Sequence, residues 1–195
     1  MIEKIMSDRR IEVSEAAWRV IRREGVDRTS LRAIAQEMGT TVGVITHHFR
    51  NKDELMLFAF DRITAKLLEP IQTLSPEVEG IERLGLSLSY LLPINTELTE
   101  ILQLWLAFLG YAMSRDELMA EHRKRAAQLK DAIAQEIQAL QAEEIISNRI
   151  DPDIEARKLL AFVNGLAIDA MVQSQPLEPG IYLELLYRQL HAIAK

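Results

Sequence analysis

The sequence predicts an all-α protein, and three observations support this fold class. Apolar residues recur every three or four positions along most of the chain, which is the period of an amphipathic helix. No segment alternates apolar and polar residues over a useful length, so no strand is expected. Glycine, proline and capping residues divide the pattern into about nine helices. At 195 residues, the chain is long enough for one large domain or two modest ones.

Four helices are expected up to residue 70, because each apolar stripe starts after a residue that can cap a helix or stops at glycine or proline. The residues that mark these ends are Gly25, Ser30, Gly39, Thr40, Thr41, Asn51 and Pro70. They delimit a first helix that stops at Gly25, a second over Leu31–Met38, a third from the threonines to about Phe49, and a fourth from Asn51 to Glu69. Glu54, three residues after Asn51, forms a variant of the capping box.

Five further helices are expected in the rest of the chain. Ser75-Pro76 is a strong start signal, because a capping residue is followed by proline at the first helical position. The helix that it opens is expected to reach about Leu92, where Pro93–Thr96 breaks it. The remaining helices are expected at Thr96–Met113, Ser114–Ser147, Asp153–Ser174 and Ile181–Ala194, and Asp151-Pro152 is the start signal for the third of these.

The charge is unevenly distributed along the chain. Taken alone, the net charge of −6 argues against a nucleic-acid partner. Residues 1–52, however, hold 10 basic and 7 acidic side chains, or +3, whereas residues 53–195 hold 13 basic and 22 acidic ones, or −9. This asymmetry is typical of a protein with a nucleic-acid-binding end, although so small an excess also fits chance.

The composition restricts the cellular compartment and the kinds of catalytic and metal-binding site that are expected. The chain has no cysteine, which excludes a disulfide framework, a thiolate zinc cluster and a cysteine nucleophile, and favours the reducing cytoplasm. No apolar run reaches the roughly 18–20 residues of a membrane span. Met1 leads directly into charged sequence, so no signal peptide is expected. No cofactor motif or set of metal ligands is found, so neither a cofactor nor a metal is expected.

The second and third helices are expected to form a helix-turn-helix, because both are short and the turn Gly39-Thr40-Thr41 joins them tightly. Ile45 and Phe49 lie four residues apart and would anchor the third helix to the core. The outer face of that helix would then carry Val42, Gly43, Thr46 and His47. In such a motif this face meets base edges in the major groove of DNA. The alternative is an ordinary helical hairpin.

Thr29–Leu55, with the sequence TSLRAIAQEMGTTVGVITHHFRNKDEL, resembles the DNA-binding signature of the TetR family of bacterial repressors. The matching features are the small or polar–apolar–Arg opening, Ile-Ala, the turn glycine, His-Phe and Asn-Lys-x-Glu-Leu. The first helix, the length, the number of helices and the segment Asp151-Pro152…Gly165-Leu166 also agree, so the resemblance covers essentially the whole chain. Gly43–Phe49 and Leu104–Phe108 are similar to the choline-responsive, BetI-like subgroup.

The resemblance implies a three-helix DNA-binding domain at residues 1–52, with the helix-turn-helix at about 30–49, and a helical ligand-binding and dimerisation domain at residues 53–195. It implies a ligand-responsive repressor that binds a palindromic operator in double-stranded DNA as a homodimer. An unidentified small-molecule effector would release it. An enzyme fits poorly, because the sequence offers no nucleophile–base pair, phosphate loop or metal set. An all-α interaction or scaffold protein without DNA binding would explain dimer helices but not the outer face of Val42–His47.

The resemblance also assigns DNA contacts. Arg32 would present its guanidinium fork to guanine, unless it is a solvated surface arginine. Lys52, in the first turn of the fourth helix, matches the phosphate-binding lysine of the family. Thr46 stands where most members have tyrosine, so it can donate one hydrogen bond but offers less contact. The full set expected at DNA is Arg32, Thr41, Val42, Gly43, Thr46, His47, His48 and Lys52.

In the family, the helices that correspond to the region beyond residue 55 enclose a ligand cavity. This region supplies aromatic and soft apolar side chains and one histidine that are candidates for its lining, with plain core packing as the alternative for each. They are Tyr90, Trp105, Phe108, Tyr111, Met113, Met119 and His122.

A dimer is expected because Leu159–Val172 is apolar nearly all round and needs more cover than one small domain provides. Gly165 in its middle costs about 1 kcal/mol relative to alanine, which is tolerable where another helix comes close. With the last helix, the resemblance implies a four-helix interface of two-fold symmetry. The expected interface residues are Leu159, Phe162, Gly165, Leu166, Tyr182, Leu185 and Leu186.

Overall fold

The computed structural model describes residues 2–73 and 77–194, with side chains from residue 8 onward except that of Gln72. Within these residues the chain forms nine helices and no strand, apart from one isolated antiparallel bridge between Ile146 and Ala194. The helices are α1 (Ile2–Glu24), α2 (Leu31–Glu37), α3 (Val42–His48), α4 (Lys52–Gln72), α5 (Gly80–Ser89), α6 (Thr96–Ala112), α7 (Asp116–Ala142), α8 (Pro152–Val172) and α9 (Pro179–His191). The predicted all-α fold is confirmed. None of the described helices is long and apolar enough to cross a membrane.

The helix ends that carry a side-chain or glycine signal lie where the sequence predicts them. Ser30 Oγ accepts a hydrogen bond from the Ala33 amide at 3.1 Å, and Asn51 Oδ1 accepts one from the Glu54 amide at 2.8 Å. Asp151 Oδ1 accepts bonds from the amides of residues 153 and 154 at 2.9 and 3.0 Å. Each of these oxygens satisfies an amide that the first turn of its helix leaves without a backbone partner.

Four predicted features of the helix ends need correction. Thr41 occupies the N-cap of α3, but its side chain makes no capping hydrogen bond. α4 does not stop at Pro70 but continues to Gln72. Proline has no N–H to donate, yet the backbone hydrogen bonding continues beyond it, since the Thr73 amide donates to the Glu69 carbonyl at 3.1 Å. The start signal Ser75-Pro76 lies outside the described residues, and α5 begins later, at Gly80.

The fourth correction concerns the end of α7, which is at Ala142 instead of Ser147. Glu144 takes a left-handed conformation with φ of 60°. The Ile145 amide then bonds the Leu140 carbonyl at 2.9 Å and the Glu144 amide bonds the Gln141 carbonyl at 3.1 Å, which is the Schellman arrangement. Because glycine normally provides this conformation, a glutamate there gave no signal in the sequence.

The described residues fall into two compact units. The first comprises residues 1–66 and 104–120, and the second comprises residues 67–103 and 121–195. The core of the first unit is built by α1, α2, α3 and the start of α4, from Val13, Ala16, Ala17, Val20, Ile34, Ala35, Ile45, Phe49 and Leu55. The second unit has its own core on α5, α7, α8 and α9. The first unit extends past residue 52, and the functional division at residues 52 and 53 stays a prediction.

Candidate nucleic-acid interface

The turn between α2 and α3 has the tight geometry of a helix-turn-helix. Gly39 has φ of +62°, a conformation that costs glycine little. Its amide donates to the Gln36 carbonyl at 3.1 Å, and the Thr40 amide donates to the Ala35 carbonyl at 2.9 Å. α3 then starts with the Val44 amide on the Thr41 carbonyl at 3.1 Å. These bonds close one helix and open the next within three residues, so the direction of α3 is fixed by the backbone.

α3 has one buried and one exposed side, as predicted. Ile45 and Phe49 are fully buried in the core of the first unit. Phe49 packs on Phe58 with ring centroids 5.5 Å apart, and the Arg10 guanidinium lies over both rings. The opposite face exposes Thr41, Val42, Gly43, Thr46 and His47. We call these five residues the α3 face.

The α3 face is small and mostly polar, with Val42 as its apolar member, 38% exposed. Thr46 Oγ1 donates to the Gly43 carbonyl at 3.3 Å, so its proton is used within the helix and its lone pairs face water. A Cβ added to Gly43 would meet only Thr41 Oγ1, at 3.7 Å, so the protomer itself does not require a glycine here. His48 lies beside this face and is half-buried, and burial lowers its pKa below the ordinary value. Its Nδ1 is buried and makes no hydrogen bond among the described residues.

Arginines around α2 have different surroundings. Glu37 accepts hydrogen bonds from Arg23 Nη1 at 2.7 Å and from Arg19 Nε at 2.9 Å, and these bonds hold the pKa of Glu37 below its usual value. Arg19 and Arg23 therefore join α1 to α2. Arg32 is exposed on α2, where the sequence predicts a DNA contact.

Lys52 makes contacts that the sequence did not reveal. Its Nζ donates to the Val26 carbonyl, in the connection between α1 and α2, at 2.7 Å. The same ammonium lies 4.8 Å from the centre of the Tyr111 ring. Burial, and secondly the charge of Arg115, lower the pKa of Lys52. An ammonium has three N–H donors, so the bond to Val26 leaves two for another acceptor.

Asp53, next to Lys52, is held by the end of α6. The Tyr111 hydroxyl donates to Asp53 Oδ1 at 2.5 Å, and Arg115 Nε lies 3.4 Å from the same oxygen. The Arg115 guanidinium also covers the Tyr111 ring at 3.6 Å. Burial, and secondly the bond to Asp53, raise the pKa of Tyr111 to about 12, so its hydroxyl stays a donor. We call Lys52, Asp53, Tyr111 and Arg115 the Tyr111 cluster. Because its members are up to 63 positions apart (115 − 52), no local pattern indicates it.

Two family models match this chain. The model described as "Bacterial regulatory proteins, tetR family" matches residues 14–58, and the model described as "BetI-type transcriptional repressor, C-terminal" matches residues 80–195. The chain belongs to the TetR family. The first match covers α2, the turn and α3, and the second covers more than half of the chain, so the predicted membership and the predicted similarity to the BetI subgroup are confirmed.

Individual proteins that are similar to this chain support the family assignment. The HTH-type transcriptional regulator PksA of Bacillus subtilis is 32% identical over 166 residues, which are 84% of this chain and 79% of that protein. The regulator BetI of Vibrio vulnificus is 25% identical over 81% of this chain and 78% of its own. A transcriptional regulator from Saccharomonospora viridis, solved in complex with choline, has the same fold with a TM-score of 0.82, at 22% identity over 97% of this chain and 99% of its own.

Family membership decides between the three function classes. TetR proteins are transcriptional regulators that bind DNA operators, form dimers and bind small-molecule effectors. This protein is therefore a DNA-binding transcriptional regulator, not a scaffold protein and not an enzyme.

The residues predicted to line a TetR-type ligand cavity differ in their burial and in their contacts. Phe108 is fully buried and stacks on Phe60 with centroids 4.0 Å apart, and Tyr111 belongs to the Tyr111 cluster. Met113 follows the last residue of α6 and is 73% exposed, so we remove it from the predicted lining. Trp105 and Met119 in the first unit, and Tyr90 and His122 in the second, are partly buried.

The predicted dimer residues lie on two sides of α8 and α9. Leu159, Tyr182 and Leu186 are fully buried in the core of their own protomer, so a second copy cannot contact them, and we remove them from the interface. Phe162, Leu166 and Leu185 are partly buried, and Gly165 is exposed.

The sequence prediction missed a row of exposed apolar residues on α8. Ile154, Ile168 and Val172 are 66%, 38% and 69% exposed, and Ala161 is exposed between them. Together with Gly165 they are spaced by 7, 4, 3 and 4 residues, which places them on one side of the helix. We call Ile154, Ala161, Gly165, Ile168 and Val172 the α8 face. This spacing was the signal that could have separated the outer residues from the core residues.

Proposed function

We propose that this protein is a repressor that binds a two-fold symmetric operator as a homodimer and releases it when a small-molecule effector binds. Its site of action would be the bacterial cytoplasm, where the operator is. The observation that carries the proposal is the α3 face, a small and mostly polar surface whose direction is fixed by the turn at Gly39. In this proposal Thr41, Val42 and Gly43 approach base edges, while Arg32, Thr46, His47, His48 and Lys52 contact bases or phosphates.

A titration of the full-length protein against the DNA upstream of its own gene tests this proposal. We expect a complex that resists nonspecific competitor DNA and whose affinity falls steeply as the salt concentration rises, because phosphate contacts release counterions. The control is a shuffled sequence of the same length and composition. Equal affinity for both sequences at all salt concentrations would contradict operator recognition.

Dimerisation in this proposal uses the α8 face with Phe162, Leu166 and Leu185. The protomer gives no reason for glycine at position 165, because an added Cβ would meet nothing within 4 Å. A helix interior with glycine is less stable than one with alanine by about 1 kcal/mol. Close approach of a second copy of α8 accounts for this residue and for the exposed apolar row.

The effector is proposed to bind within residues 53–195. The BetI-type match over residues 80–195 and the similar fold of a regulator solved in complex with choline make choline the first compound to test. Choline added to the preformed DNA complex is expected to release the protein, with ethanolamine, which lacks the quaternary ammonium, as the control. Release by neither compound would leave DNA binding intact and contradict a choline-type effector.

A further inference from the structure

We propose that Tyr111 is a positioning residue for DNA binding, because its hydroxyl keeps the Asp53 carboxylate engaged and thereby leaves the Lys52 ammonium for a phosphate. This inference rests on the proposed operator binding and on Lys52 as one of its contacts. It assigns a role to Tyr111 that differs from the ligand-lining role that the sequence predicted for it.

The Asp53 carboxylate competes with a phosphate for the Lys52 ammonium. Asp53 is the next residue along the chain, and its carboxylate, in the first turn of α4, acts on the charge of Lys52 together with that of Asp27. In the structure the Asp53 carboxylate accepts the Tyr111 hydroxyl at 2.5 Å and faces Arg115 Nε at 3.4 Å. A carboxylate that is bonded elsewhere attracts the lysine less, so the ammonium stays available.

Two contacts determine where the Lys52 ammonium lies. The Val26 carbonyl takes one N–H donor at 2.7 Å, and the Tyr111 ring covers Lys52 at 4.8 Å. Both contacts hold the charge at the start of α4, and among the described residues only one N–H donor of the ammonium is hydrogen-bonded, which leaves two for an anion. The tyrosine therefore acts twice, through its ring on Lys52 and through its hydroxyl on Asp53.

The test compares Tyr111→Phe with Tyr187→Phe. Tyr187 is a matched control, because its hydroxyl also donates to a carboxylate, that of Glu82 at 2.9 Å, and its pKa is also raised to about 12, but it lies in the second unit. Affinity for the upstream DNA is measured as a function of salt, and thermal unfolding is measured for every variant. We expect Tyr111→Phe to weaken binding to all DNA sequences alike, by up to about eightfold per protomer at 0.1 M salt, and to flatten the salt slope by up to about one per protomer.

Two double variants separate positioning from a general loss of stability. Adding Asp53→Asn to Tyr111→Phe removes the competing charge, so affinity is expected to return towards that of the wild type. Adding Tyr111→Phe to Lys52→Ala is expected to change nothing further, because the tyrosine acts through the lysine. The inference is overturned if Tyr111→Phe and Tyr187→Phe have the same affinity, or if Asp53→Asn gives no rescue. If the wild type itself fails to bind the DNA, the proposed function fails as well, and this outcome is distinct from the other two.

Discussion

The α3 face and the α8 face are both outer sides of helices whose inner sides are buried, yet their chemistry differs. The α3 face is short and carries one valine among a glycine, two threonines and a histidine, whereas the α8 face extends along a helix of 21 residues and exposes two isoleucines, a valine, an alanine and a glycine. Water can hydrogen-bond to the hydroxyl and imidazole groups of the first surface, but it cannot bond to the aliphatic side chains of the second. The contrast indicates two kinds of partner: a hydrated, hydrogen-bonding surface suits DNA, and an apolar row suits another copy of α8.

The largest expected effect is on the α8 face. Ile168→Arg places a charge in the middle of the apolar row, twice in a symmetric dimer, and costs association several kcal/mol, which is a hundredfold or more in the dissociation constant. Sedimentation should show the 22.2 kDa variant chain as a monomer and the wild type at twice that mass. Met113→Arg, at another exposed apolar residue, is the control and should leave the dimer intact. A dimeric Ile168→Arg protein would mean that the partner of α8 is not a second copy.

The next effect is on the α3 face. Thr46→Glu places a negative charge against the phosphates and should lower DNA affinity by at least tenfold without changing the oligomeric state, because like charges at an interface repel. Thr73→Glu is a control: Thr73 is also exposed, and its hydroxyl also donates to backbone carbonyls of the preceding turn, those of Glu69 at 3.0 Å and Pro70 at 3.2 Å, as that of Thr46 does to Gly43. Fluorescence anisotropy with labelled operator DNA measures both variants. Equal losses would remove Thr46 from the interface.

These two surfaces also show what the sequence predicts and what it leaves open. The helix ends at Ser30, Gly39, Asn51 and Asp151 were predictable, because each carries its own signal in one or two residues. The α3 face was also predictable, because a helix with two buried anchors four residues apart has only one other side.

Long-range contacts and left-handed residues without glycine were not predictable. The apolar pattern of α8 indicates that the helix needs cover on several sides, but it does not say which residues face α9 in the same protomer, so Leu159 was assigned to the wrong side. The bond between Tyr111 and Asp53 joins residues 58 positions apart, and Glu144 ends α7 without a glycine. Only the packed chain determines these features.

Lys52 gives the third effect. We expect Lys52→Ala to weaken binding to every DNA sequence by a similar factor and to flatten the salt slope by about one for each bound protomer. The measurement is the salt dependence of affinity for the operator and for a shuffled sequence. A loss confined to the operator would instead indicate that the bond of Lys52 to the Val26 carbonyl orients the recognition helix.

A smaller effect compares Gly43 and Gly165, two helical glycines at which an added Cβ would meet no atom closer than 3.7 Å. Gly43→Ala and Gly165→Ala should each leave the fold as stable or more stable, by up to about 1 kcal/mol, because alanine favours the helix and no atom of the chain is displaced. We expect Gly43→Ala to weaken DNA binding only and Gly165→Ala to weaken dimerisation. Gly110→Ala, also in open space within a helix, is the control and should change stability alone. Unchanged affinities in both test variants would show that neither glycine serves a partner.

The smallest expected effect is on the pH dependence of stability. It concerns only the region of the α3 face, because His48 lies at the end of α3 whereas α8 has no histidine. Burial, and secondly the charges of nearby basic groups, lower the pKa of His48 from the ordinary value of 6.5. Between the lowered pKa and 6.5 the unfolded chain binds more protons than the folded one, so stability falls as the pH drops through this range. Urea unfolding at pH 7.5 and 5.5 should therefore show a smaller loss on acidification for His48→Gln than for the wild type. His122→Gln provides a comparison in the second unit, because burial also lowers the pKa of His122. An equal loss of stability on acidification in His48→Gln and the wild type would contradict a lowered pKa of His48 in the folded protein. Burial beside the α3 face would then not keep the His48 ring neutral.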